Sequence, residues 1–179
     1  MIFQQARIKG VYILEPEFKI DQRGYFSRIF CESEFKKNGL NFKIIQANQS
    51  LTKKRGTIRG MHFQEEPNRE KKIVQCLKGA AYDVIVDLRE DSSTFGQWII
   101  EKLDEENKKM LYVPEGVAHG FQSMTDNCLM QYFMSNHYSP EDARGVRWDD
   151  PFLKIKWPID NPLLSEKDKK WPLINSKQQ

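Results

Sequence analysis

The chain reads as all-β, a sandwich or barrel with a few short peripheral helices, and three observations carry that expectation. Short apolar or alternating runs recur through its middle, clusters of turn formers separate them at roughly 8–12-residue spacing, and helical stretches are few and short. Residues 80–88 are the clearest run. Asp83 and Asp87 share one face while Tyr82, Val84, Val86 and Leu88 line the other, the period-2 pattern of a half-buried strand. Residues 73–77, 97–103, 110–113 and 128–134 read as further strands. Lys78-Gly79, Asp91-Ser92-Ser93, residues 104–107, residues 114–116 and Thr125-Asp126-Asn127 punctuate them with turn formers. Residues 31–38 carry helix formers and stop before Gly39, and residues 164–170 open on Ser165, which Asp168 completes as a capping box. No repeat, linker or low-complexity tract breaks the chain, so residues 1–179 are expected to form a single domain, with 173–179 a frayed polar tail.

A chain of 179 residues can bury a substantial core without disulfides or structural metal. Hydrophobic residues make up 39% and aromatics 12%, too apolar a composition for disorder. The 28 basic and 25 acidic residues are interspersed and leave a formal charge of +3, which argues against a nucleic-acid binder. Lys53-Lys54-Arg55 and Arg69-Glu70-Lys71-Lys72 read as solvated loop faces or, more sharply, as a phosphate-facing rim. Cys31, Cys76 and Cys128 are odd in number and lack the spacing that zinc or a redox pair needs, so they read as reduced packing residues. The N-terminus has no long apolar core and no segment approaches ~20 apolar residues, so no membrane partner is expected and the location is read as cytoplasmic.

Two segments read as a site. Gly56-Thr57-Ile58-Arg59-Gly60-Met61-His62-Phe63-Gln64 places an arginine and a histidine three positions apart among glycines, and Pro114-Glu115-Gly116-Val117-Ala118-His119-Gly120-Phe121 repeats the lone histidine beside glycines. Gln46 and Asn48 alternate on the preceding strand, so polar side chains converge that a ligand could satisfy. A histidine in each of two glycine-bounded turns suggests a cupin, a double-sheet jelly roll that often holds a metal. The metal version carries a His-x-His pair, whereas this chain has His62-Phe63-Gln64, and an amide binds iron or zinc poorly.

Across residues 3–173, a set of ordered motifs resembles the dTDP-4-dehydrorhamnose 3,5-epimerase family: Asp21-Gln22-Arg23-Gly24-Tyr25-Phe26, Gln46-Ala47-Asn48-Gln49-Ser50, Arg59-Gly60-Met61-His62-Phe63-Gln64, Lys72-Ile73-Val74, Tyr82-Asp83-Val84-Ile85-Val86-Asp87-Leu88-Arg89, Thr94-Phe95-Gly96-Gln97-Trp98, the His119 segment, Asp149-Asp150-Pro151 and Leu164-Ser165-Glu166-Lys167-Asp168. The resemblance implies a metal-free cupin jelly roll acting as a homodimer without a redox cofactor. It would invert the carbons beside the C4 ketone of a nucleotide-diphosphate 4-keto-6-deoxy sugar, using a base and an acid on opposite faces. By position, His62 matches the base, Asp168 the carboxylate that holds its tautomer, Tyr132 the acid and Lys72 the cation at the enolate oxygen. Arg23, Phe26, Gln46, Asn48, Arg59 and His119 match substrate-pocket positions, the arginines suited to a diphosphate.

Two departures from the family pattern stand out. Ser27-Arg28 occupies the place where many members carry a glutamate directed at the nucleotide, which exchanges an acceptor for a donor and opens cytidine or guanosine beside thymidine. Arg69-Glu70-Lys71 replaces the small, glycine-containing stretch common before the lysine. Alternatives at this level are an epimerase acting at C3 alone, a metal-dependent cupin oxygenase or isomerase, and a non-catalytic sugar-nucleotide binding module. Ile2-Phe3 and Ile44-Ile45 are candidate edges for pairing between two copies.

Overall fold

The computed structural model describes residues 1–174. From the N-terminus come β1 (Ile2–Gln5), β2 (Tyr12–Glu15), β3 (Phe18–Asp21), β4 (Gly24–Ser27), α1 (Glu32–Lys37) and β5 (Gln46–Thr52). The middle supplies β6 (Ile58–Gln64), β7 (Lys72–Lys78), β8 (Ala80–Asp87), β9 (Trp98–Asp104), β10 (Met110–Val113), β11 (Val117–Ser123) and β12 (Cys128–Met134). Last come β13 (Ala143–Gly145) and α2 (Glu166–Lys169). The expected strands and both expected helices are present, the helices one or two residues shorter at each end, where caps replace regular hydrogen bonds.

One sheet runs β1-β2-β10-β7-β12-β5 and the other β13-β6-β11-β8-β9, all neighbours antiparallel, while β3 and β4 form a separate hairpin. The arrangement is the expected double-sheet jelly roll. Val74, Cys76, Leu111, Val113 and Met130 of the first sheet meet Ala81, Ile85, Val117 and Phe121 of the second in the central core.

Both sheets are also covered on their outer faces. Phe35 of α1 lies with Phe42, Leu14, Ile73, Met110 and Tyr112 against the first sheet, and its ring meets Phe3, Phe30 and Phe42. Val146, Leu153, Ile155 and Trp157 of the C-terminal segment cover the second sheet over Met61, Val84, Val86 and Ala118. This second cover corrects the half-buried reading of residues 80–88: Val84 and Val86 face the outer cluster, Ala81 and Ile85 the central one, and Asp83 and Asp87 are both fully buried. The frayed-tail expectation also changes at its start. The Ile174 N–H donates to the Asp150 carboxylate at 2.7 Å and its side chain joins the outer cluster, while residues 175–179 lie outside the described residues.

Asp83 and Asp87 meet opposite fates. Burial pushes the Asp83 carboxyl up, only partly countered by His119. Burial acts the same way on Asp87, but Arg89, Ser92 and Thr94 donate to it at 2.6–2.8 Å and together bring it down from 3.8 to about 2. A carboxyl depressed on folding adds stability that is full above its unfolded pKa and disappears as the pH falls through the folded one. Asp87 is therefore expected to contribute about 2 kcal/mol at neutral pH, lost between about pH 4 and pH 2. Denaturant melts across that range should show a smaller acid loss in Asp87→Asn than in the wild type, and parallel curves would refute this account.

Candidate active site

Strand register arranges one wall of the site as rows. Across β7, β12 and β5, Lys72 pairs with Met134 and Met134 with Gln46, while Val74 pairs with Tyr132 and Tyr132 with Asn48. Residues two apart on a strand share a face, so Lys72, Tyr132, Gln46 and Asn48 form one polar patch on the first sheet. The Gln46 side chain donates to Asn48 at 3.1 Å and accepts from the Tyr138 N–H at 3.1 Å, which fixes both amides.

The opposite wall depends on an irregularity. Arg59 and His62, three apart, would point to opposite faces of a regular strand. Their partners on β11, Phe121 and His119, are only two apart, so β6 carries one extra residue in a bulge that returns both side chains to the cleft. Gly60 occupies this bulge with φ +142°, and a Cβ there would lie 2.5 Å from the Gly120 Cα. Glycine on both strands is what lets them approach this closely. The Arg59 guanidinium reaches Thr52 Oγ1 at 3.0 Å and the Leu51 carbonyl at 3.3 Å on β5, tying the two sheets together.

His62 Nε2 lies 2.6 Å from Asp168 Oδ1. The Trp171 indole N–H donates to that same oxygen at 3.2 Å, and the Asp168 N–H donates to Ser165 Oγ at 3.0 Å. Burial alone would raise the Asp168 carboxyl, yet the bonds from His62, Ser165 and Trp171 prevail and hold it below its usual value, so it stays a carboxylate. Tyr132 is driven the other way, first by burial and then by nearby Asp83, against a smaller pull from Arg59, and keeps its phenolic proton. His119 Nε2 lies 2.9 Å from Asp83 Oδ2, and its ring stands edge-on to Tyr132 with centroids 6.1 Å apart.

These groups line two adjoining cavities of about 620 and 440 Å³ that share Asn48, His62, Lys72, Met134 and Lys167. The family profile described as dTDP-4-dehydrorhamnose 3,5-epimerase matches residues 5–176. A dTDP-4-dehydrorhamnose 3,5-epimerase of Methanothermobacter thermautotrophicus is 41% identical over 172 residues, covering 94% of this chain and 92% of the relative. The chain belongs to the dTDP-4-dehydrorhamnose 3,5-epimerase family. The Bacillus anthracis dTDP-4-dehydrorhamnose 3,5-epimerase, solved with TDP and pyrophosphate bound, superposes with a TM-score of 0.94 at 38% identity, covering 97% of this chain and 99% of its own. The Legionella pneumophila 3,5-epimerase in complex with dTDP-4-keto-L-rhamnose gives 0.91 at 32% identity, covering 99% and 96%.

Eight of the residues matched to the epimerase family line these cavities: His62, Asp168, Tyr132, Lys72, Gln46, Asn48, Arg59 and His119. Arg23 and Phe26 do not. They sit on the β3–β4 hairpin, where Arg23 is paired with Asp21 at 2.6 Å and Phe26 is 64% exposed. Arg28 donates to Glu34 of α1 at 2.8 Å. Gln64, at the position of a cupin ligand, gives its amide to the Asn68 and His137 carbonyls and accepts from the Ser139 N–H, bracing a loop. Among the described residues, no group of three or more His, Cys, Asp or Glu side chains could hold a metal ion.

Sequence reasoning passed over Trp171 and Glu70. Trp171 shares Oδ1 of Asp168 with His62, and Lys167 Nζ lies 5.1 Å above its ring. Its position one turn beyond Asp168 was the available signal. The reading of Ser165 and Asp168 as a capping box is half realised: Ser165 caps the Asp168 N–H, but the Asp168 side chain turns to His62. Gly60→Ala should force apart backbones that cannot yield, costing more than about 1 kcal/mol. By displacing His62 it should also lower kcat by more than about tenfold. Melting and turnover equal to the wild type would show that the strand crossing does not set the site.

Proposed function

We propose that the protein inverts C3 and C5 of a nucleotide-diphosphate 4-keto-6-deoxy sugar, a cofactor-independent isomerisation through an enolate. The observation that carries this reading is that His62 rises from one sheet and Tyr132 from the other, with Lys72 beside them in a shared cleft. A hydrogen alpha to a ketone is weakly acidic. His62, oriented by Asp168, takes that proton, the C–H electron pair becomes the enolate double bond, and negative charge collects on the C4 oxygen. The Lys72 ammonium stabilises that oxygen, and in a site shielded from bulk water such a charge is worth several kcal/mol. Tyr132 gives its proton to the opposite face of the same carbon, inverting it, and the phenolate regains a proton from solvent while His62 releases one. One proton leaves and one arrives, so the sugar keeps its oxidation level.

Arg59 is suited to hold the diphosphate, with Gln46, Asn48 and His119 lining the sugar's path. Thymidine is the favoured base, because the Bacillus and Legionella relatives carry TDP and a dTDP-sugar and because Glu34 already satisfies Arg28. The hairpin exposes Ile20 at 80%, Tyr25 at 56% and Phe26 at 64%, an apolar surface that a second copy would cover. In the homodimer it would bring Arg23 and Phe26 to the partner's cleft. We place the enzyme in the cytoplasm, supplying a deoxysugar for a cell-surface glycan.

Incubation in deuterium oxide with thymidine-, cytidine- and guanosine-linked 4-keto-6-deoxy sugars should show deuterium at C3 and C5 of the thymidine substrate by NMR. Uptake at C3 alone would make it a 3-epimerase. His62→Ala should abolish exchange, while Tyr132→Phe should permit exchange but impair inversion, chiefly at C5. Turnover retained in His62→Ala would sink the mechanism. The dimeric site has its own test. Arg23→Ala and His62→Ala chains, each inactive, should regain about a quarter of wild-type activity when mixed, since half of the dimers would be mixed and each of these holds one intact site. No gain over the separate variants would disprove the sharing of the hairpin.

A further inference from the structure

We infer that Glu70 is a positioning residue for the enolate-stabilising ammonium, its buried carboxylate aiming Lys72 at the space beside His62. The inference rests on the proposed role of Lys72 and deepens it. In sequence the Arg69-Glu70-Lys71-Lys72 cluster reads as a solvated loop face; in the structure it divides by alternation. Arg69 and Lys71 turn outward, Arg69 to Glu66 at 3.4 Å and Lys71 to the Asn41 carbonyl at 3.2 Å. Glu70, just ahead of β7, and Lys72, its first residue, turn inward, with side chains only 7% and 6% exposed.

Burying a charged pair this deeply carries a large desolvation cost, and natural chains seldom retain one without a use for it. Glu70 Oε1 lies 2.9 Å from Lys72 Nζ. The other contact of the ammonium is a long one, 3.4 Å, to the backbone carbonyl of His62 itself. A lysine head on a four-carbon stem has no orientation of its own, unlike a guanidinium. Two acceptors fix it here, and the shorter bond comes from Glu70. The tether leaves the third N–H of the ammonium for an oxygen in the cavity that His62, Lys72 and Glu70 all line.

The test compares Glu70→Ala, Glu70→Gln, Glu70→Asp, Lys72→Ala and the Glu70→Ala/Lys72→Ala double variant by kcat, KM, deuterium exchange and thermal melting. Glu70→Ala should lower kcat about 10- to 100-fold with KM within about threefold, as expected when a transition-state contact is misplaced. Glu70→Gln keeps an acceptor at the same reach and should recover most of the loss. Glu70→Asp keeps the charge but falls short by one methylene and should recover less. The double variant should be no slower than Lys72→Ala, because Glu70 acts only through Lys72. Wild-type kcat in Glu70→Ala beside an impaired Lys72→Ala overturns the inference alone, as does an equal further loss from Glu70→Ala in the Lys72→Ala background. Wild-type exchange in Lys72→Ala removes the role of Lys72 and the inference with it. If Glu70→Ala does not fold, the conservative pair decides: kcat lower in Asp than in Gln supports positioning, and the reverse order refutes it.

Discussion

The site depends on one close approach, the crossing of β6 and β11 where Gly60 faces Gly120. A Cβ on Gly60 would fall 2.5 Å from the Gly120 Cα, and one on Gly120 would fall 2.9 Å from the Gly60 Cα and from the Arg59 carbonyl, so neither position can carry a side chain without parting the strands. The bulge that this contact accommodates changes the parity of β6. Ahead of it Arg59 faces the cleft, and beyond it His62 does so as well, while His119 pairs with His62 across the ladder. Without the bulge, one of the two would turn toward the apolar outer cluster around Met61 and Val146, at a desolvation cost to its polar head.

Burial then sorts the acids by the donors that reach them. Asp83, Asp87 and Asp168 are all at most 4% exposed, yet they do not share a protonation tendency. Asp87 collects side-chain bonds from Arg89, Ser92 and Thr94, and Asp168 from His62 and Trp171, and both stay low, whereas Asp83 leans on His119 and is pushed up by its surroundings. Asp168 thereby presents a firm negative charge to His62, and Trp171 keeps its oxygen in place. The desolvation that penalises Asp83 also keeps Tyr132 protonated, so one buried environment sets the proton inventory on both sides of the cleft.

Much of this is legible in the sequence, and the failures have physical causes. Strands at 73–77, 97–103, 110–113 and 128–134 are signalled locally, by apolar alternation closed off by turn formers. The half-buried reading of residues 80–88 fails because Leu153 and Trp157, some 70 residues on, cover the face that alternation assigns to one side. Period-2 reasoning likewise cannot bring Arg59 and His62 together, since the parity change belongs to the pair of strands and not to β6 alone. Capping and dyad roles for Asp168 look like alternatives in sequence; in space they use different atoms, the N–H for Ser165 and the carboxylate for His62. Arg23 and Phe26 fit the family's motif, but their hairpin belongs to neither large sheet, and they line neither cavity. Glu70 is hidden for the opposite reason, because charged neighbours on either side make it look like surface.

A jelly roll suits an inversion for a reason that follows from its two layers. Inverting a carbon needs a base and an acid on opposite sides of the sugar ring, and neither may shift when the ring is bound. Here the proposed base, His62, stands on β6 and the proposed acid, Tyr132, on β12, strands held by ladder hydrogen bonds on both flanks, so their separation is set by sheet packing and not by a loop. The central core that spaces the sheets includes Val74 and Met130, which neighbour Tyr132, and Phe121, which pairs with Arg59. Packing defects there would therefore reach the chemistry without touching any residue that carries it. The lysine is the exception among these groups, since its strand fixes only the start of a long flexible stem. That is why a second buried side chain is needed at this one position, where the fold by itself cannot supply the precision that the strands give to His62 and Tyr132.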